Sequence, residues 1–142
     1  MQWPRARALA IAGGLLLSGA GLHLVAAYEP EHLEKGLFFG FFWAATIVQG
    51  TLAVLLLRIT RLASAVGFGV NAFLVILWTA TRLVPLPGEA APELVDVLGV
   101  ATKVVEIASL PVLLSLVRIL PGVPRPGPPR TRPSVRVPPK PF

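Results

Sequence analysis

The chain has 142 residues, of which 54% are hydrophobic and only 14% charged, with a net charge of +6. Soluble domains carry ~25% charged residues, and a chain this short cannot bury so much apolar surface unless lipid covers it. Cysteine is absent, which excludes disulfides, thiolate metal sites and cysteine nucleophiles.

Four apolar stretches, residues 6–27, 37–57, 62–84 and 94–120, divide the chain. Each is near or above the ~20 residues a helix needs to cross ~30 Å of hydrocarbon. The first has a basic start, and Trp3 and Tyr28 stand at its two ends as interface anchors would. A secretory signal peptide is the competing reading, and cleavage after Ala27 would leave three spans. Against it, the apolar run is long for a signal. Gly19, Ala20 and Ala27 also form, with His23, a small-residue stripe suited to packing against other spans.

The first break, "YEPEHLEKG", is acidic; the second, "RITR", is short and basic; the third, "PLPGEAAPE", is punctuated by Pro and Gly as a turn between helices should be. After the fourth stretch comes a separate region, residues 121–142, rich in Pro and basic residues. Its proline content predicts an extended tail outside the 1–120 bundle, solvated near anionic headgroups or serving as a docking peptide. Nucleic-acid binding is not expected of it, since Phe142 is its only aromatic residue.

Charge sets the orientation. Arg5, Arg7, Arg58, Arg61, Arg118, Arg125, Arg130, Arg132, Arg136 and Lys140 fall on one side of a four-span arrangement, and no acid joins them. The other side and the spans themselves hold Lys35, Arg82, Lys103 and all seven acids. The positive-inside rule then places both termini in the cytoplasm of a bacterial-type plasma membrane. The expected fold is an all-α, four-transmembrane-helix bundle.

Polar residues inside the spans are the functional candidates. Counting the rise from the outer end of each span, Gln49, Asn71 and Glu106 lie roughly 18–20 Å deep. His23, Arg82 and Asp96 lie in a shallower layer at roughly 3–6 Å. Lys103 lies between the layers. Asn71, Trp78 and Arg82 share one helix face, and Asp96, Lys103 and Glu106 share another. If these faces turn inward, one polar column runs from the outer surface to mid-membrane. Two readings stand: helix-to-helix glue, or a site for an ion, a proton or a small ligand.

The first break offers a second candidate. His23, Glu31 and His32, with Glu93 from the third break, are ligand types for Zn or Cu. Their spacing matches no standard metal signature, and no cofactor is otherwise implied. H-E-x-x-H, phosphate-loop and G-x-S-x-G motifs are missing, so no enzyme is expected. The expected partners are the bilayer and a second copy or a larger membrane complex. The leading function is non-enzymatic: an outward-opening polar cluster that binds a small ligand or docks a partner subunit. The alternative is proton- or metal-coupled transport.

The order His23, "EPEH", "GLFFGFFWAATIVQG", "NAFLVILWTATRLVPLP", then Glu93, Asp96 and Glu106 resembles a family of small four-span bacterial membrane proteins of uncharacterised activity. The likeness covers about residues 19 to 110. It implies a shared fold and polar constellation but no activity. The family pattern after the arginine is R-x-x-G-x-P; here Pro85 replaces the glycine, which stiffens the turn that carries Arg82.

Reporters fused after Phe142 and in the 58–61 loop are expected to read cytoplasmic, and reporters in the 28–36 and 85–93 loops external. A cytoplasmic signal from the 28–36 loop would contradict the orientation.

Overall fold

The computed structural model describes residues 5–58, 60–85 and 92–119. Trp3 and the proline-rich tail lie outside the described residues. All regular structure among the described residues is helical: α1 (Arg5–Ala27), α2 (Pro30–Glu34), α3 (Gly36–Leu55), α4 (Thr60–Leu83) and α5 (Val97–Ile119). The four long helices are each long and apolar enough to cross a membrane. Their bounds follow the four apolar stretches of the sequence, with one informative departure. The fourth helix begins at Val97, because Asp96 caps it: its Oδ1 accepts from the Gly99 amide at 2.5 Å, and its carbonyl accepts from Val100. The cap satisfies amides that would otherwise be orphaned at the helix start.

The first break contains a short helix that starts on Pro30, where the fixed φ and missing N–H of proline suit the first helical position. The second break is a tight turn over Leu56–Arg58, and the Thr60 hydroxyl closes it by donating to the Leu56 carbonyl at 2.8 Å. Helix α5 runs through Pro111 without ending. Proline removes one backbone bond there, a loss that neighbouring helices make tolerable inside a membrane bundle.

Helix α1 packs against both α3 and α5, and α5 packs against α4, while α3 and α4 meet only sparsely. The order around the bundle is therefore α3, α1, α5, α4, with a thin seam between the first and last. Close approach along α1 comes from its buried stripe of Ala8, Ala12, Leu16, Gly19, Ala20, His23, Ala26 and Ala27, spaced by turns of one helix face. Gly19 is needed where it stands. A Cβ there would lie 2.7 Å from Gln49 Oε1, so only a glycine lets α1 and the Gln49 amide share that space.

The interior has two halves. Toward the basic end, Ala8, Ala12, Leu16, Leu52, Ala53, Leu56, Ala63, Leu113 and Leu116 form a dry core. Toward the acidic end, the buried residues are largely polar, including His23, Gln49, Asn71, Thr102, Lys103, Glu106 and Ser109. Outside that end, the half-exposed Tyr28 packs edge-on against Phe39 and Trp43, the amphipathic ring position expected at a headgroup boundary.

Candidate functional site

Glu106 is fully buried on α5, and three side chains donate to it. His23 Nε2 from α1 reaches Oε1 at 2.8 Å, and Gln49 Nε2 from α3 reaches the same oxygen at 3.2 Å. Lys103, one turn away on α5, donates to Oε2. The Gln49 amide also donates to Asn71 Oδ1 at 2.9 Å, and Asn71 Nδ2 donates to Ser109 Oγ at 2.5 Å. Every long helix thus contributes to one network. The other ring nitrogen of His23, Nδ1, is buried without a hydrogen-bond partner.

The sequence-based candidates Gln49, Asn71, Lys103 and Glu106 come together here as one group. His23 joins them, although counting helical rise separates it from Glu106 by a whole layer. Two physical facts close that gap. The cap at Asp96 starts α5 at Val97, so Glu106 lies only about 13–14 Å below the helix start at 1.5 Å per residue. Side chains also lean toward their own helix N-terminus. His23 on α1 therefore leans deeper, while Glu106 on the antiparallel α5 leans back toward the acidic end. Ser109 was not among the candidates. A serine inside a span carries no ionisable signal, and its hydroxyl also donates to its own helix at the Glu106 carbonyl.

Arg82, Trp78 and Asp96 form a second group nearer the acidic end. Arg82 pairs with Glu93 at 2.7 Å and with Asp96 at 3.3 Å. Its guanidinium also stands over the Trp78 ring, 4.7 Å from the centroid. The Glu93 amide donates to the Thr81 carbonyl at 3.1 Å, which ties the third loop to the end of α4. Arg82 thus meets two acids of the segment that leads into α5. The expected single column is two hydrogen-bonded groups.

The proposed metal ligands divide. His23 is held by Glu106 and Glu93 by Arg82. Glu31 and His32 do stand together, with Glu29, their ligand atoms within 4.8 Å of one another. His32 Nδ1 lies 2.7 Å from the Ala26 carbonyl, and its ring packs on Phe42. His23 and Glu93 are not part of that convergence.

Between the two polar groups lies a cavity of about 270 Å³. Its floor includes His23 and Lys103, its walls Phe38, Phe42, Leu74 and Leu77, and its rim Arg82, Glu93 and Asp96. A wider polar vestibule of about 450 Å³ shares His32, Phe38, Arg82, Glu93 and Asp96 with it, so the cavity adjoins the acidic end. Beyond Ser109 the dry core closes the bundle. Ser64 and Ser115 in that half donate to their own helix carbonyls.

The Glu106 cluster is a weak stability device. Interhelical hydrogen bonds in membranes are worth ~0.6 kcal/mol on average, while one ionised side chain at mid-span costs roughly 2.5–3.5 kcal/mol. The two interhelical donors, His23 and Gln49, offset less than half of the cost of the acid, and Lys103, on the same helix, carries its own. Glu106→Gln alone, which leaves Lys103 without its carboxylate, should therefore cost ~3–5 kcal/mol. Glu106→Gln with Lys103→Met should stay within ~1 kcal/mol of the native chain, because apolar replacement of a buried pair is often neutral. Unfolding in detergent checks this, and a double variant as unstable as the single one would contradict it.

Compared with known proteins, the chain matches no family model, no curated protein and no solved structure. The functional reading therefore rests on the chain's own residues.

Proposed function

We propose that this is a non-enzymatic, multi-pass protein of a bacterial-type plasma membrane, with both termini cytoplasmic, that binds a small ligand in the cavity above the Glu106 cluster. The observation that carries the reading is the contact between an apolar-walled cavity and a buried ion pair. Lys103 and His23 line the cavity floor and both bond Glu106. Concave sites with mostly apolar walls and a few convergent polar groups are the usual form of a ligand pocket. Ionisable side chains held inside a membrane bundle at a net cost are ordinarily functional.

Two further features support binding over the rivals. Transport requires a path through the bundle; among the described residues, the core beyond Ser109 is built of Leu and Ala, and Ser64 beside it is bonded to its own helix. Acyl or phosphoryl chemistry requires an activated nucleophile. Among the described residues no hydrogen bond joins either histidine to a hydroxyl, and the hydroxyls of Ser64, Ser109 and Ser115 bond helix carbonyls.

Protein extracted in mild detergent from its native membrane should carry a bound small molecule at one per chain in native mass spectrometry. Leu77→Trp, which fills the cavity, should remove that mass without unfolding the bundle. A bare native chain, or a bound mass that survives Leu77→Trp, would contradict the assignment.

A further inference from the structure

Resting on that reading of the cavity, we propose that its ligand is a neutral, flat, apolar molecule with a carbonyl acceptor, the chemistry of a quinone ring.

Charge excludes the ionic alternatives first. Both cations of the cavity lining are already matched: Arg82 by Glu93 and Asp96, and Lys103 by Glu106. A carboxylate or phosphate ligand would meet no unmatched cation there and would sit beside three carboxylates. A cationic ligand reaching the floor would meet Lys103, and the Trp78 face that could hold it is taken by Arg82. In a cavity walled by hydrocarbon, an unmatched charge on the ligand has no compensation.

Hydrogen bonding sets the polar end of the ligand. An ammonium has three N–H donors. Lys103 spends one on Glu106 and one on the Leu74 carbonyl at 3.4 Å. The third has no acceptor among the described residues, and the side chain lines the cavity. The lining hydroxyls of Thr81 and Thr102 donate back to their own helix carbonyls. On the floor Lys103 therefore offers a charged donor and asks the ligand for an acceptor, beside the other unpartnered polar atoms of the lining, His23 Nδ1, Trp78 Nε1 and Arg82 Nε.

Shape completes the assignment. The body of the ligand would lie between the Phe38 and Phe42 rings of α3 and the Leu74 and Leu77 side chains of α4. About 270 Å³ falls just under the ~300–1,000 Å³ usual for drug-sized ligands. A one- or two-ring system fits, with any tail leaving through the thin seam between α3 and α4.

Three probes test this on the full chain in detergent: 1,4-naphthoquinone, naphthalene and 1-naphthoate. Thermal shifts across a concentration series give the relative affinities. The chain has no cysteine to react with the quinone. Naphthoquinone should bind about tenfold or more tightly than naphthalene, the worth of one hydrogen bond to a charged donor, and naphthoate should give no shift. In the folded Lys103→Met, Glu106→Gln double variant, the preference for naphthoquinone over naphthalene should vanish while naphthalene still binds. Equal affinity for naphthoquinone and naphthalene in the native chain would overturn the acceptor assignment and leave the cavity reading standing. Tightest binding of naphthoate, or a preference kept by the double variant, would also overturn it. No shift from any probe, together with a bound native mass untouched by Leu77→Trp, would instead remove the cavity reading itself.

Discussion

A carboxylate buried among four helices long and apolar enough to cross a membrane has to find its donors inside the protein, because hydrocarbon supplies none. Glu106 imposes that constraint on this bundle. Its donors come from α1, α3 and α5, and the Gln49 amide that serves it is held in turn by Asn71 on α4. Satisfying one side chain thus fixes the rotation and depth of all four helices at this level. The fit leaves little room: Gly19 has no side chain because the Gln49 amide occupies the space beside it.

That constraint divides the molecule along its length. Toward the basic end, small and leucine side chains pack by van der Waals contact, and the serines there satisfy their hydroxyls on their own helix carbonyls. Toward the acidic end, buried polar side chains bond one another across the helices, and a cavity lies between the N-terminal half of α3 and helices α4 and α5. The Arg82 group closes over its rim and the Glu106 group forms its floor. Lys103 matches Glu106, the Arg82 group keeps one acid in excess, and an apolar-walled space is left between the two sets of ions.

Much of this was legible in the sequence. Hydropathy finds the four long helices, since lipid demands runs of this length whatever the packing. Helical phase finds Gln49, Asn71, Lys103 and Glu106, because an ionisable or amide side chain inside a span must turn inward. Depth was less legible. Apolar Leu94 and Val95 extend the fourth stretch by hydropathy, whereas Asp96, a favoured cap residue immediately before the run, marks the true helix start. Rise counting alone also ignores the opposite lean of side chains on antiparallel helices, and so separates His23 from its partner. Ser109 leaves no sequence signal at all. The grouping of His23 and Glu93 with His32 rests on ligand chemistry and on Glu93 lying in the facing loop, and it gives no weight to the nearer partners Glu106 and Arg82.

The contact between His23 and Glu106 is the one on which these relations converge, since it binds the first helix to the last across 83 positions of sequence. With His32→Gln, His23 becomes the only histidine of the chain. Solid-state NMR in bilayers can then measure dipolar coupling between its ring ¹⁵N and the ¹³C-labelled glutamate carboxylates. An Nε2 to Oε1 distance of 2.8 Å predicts strong coupling between Nε2 and one carboxyl carbon, lost on Glu106→Gln. A histidine ring with no carboxylate coupling, or coupling that persists in Glu106→Gln, would contradict the account.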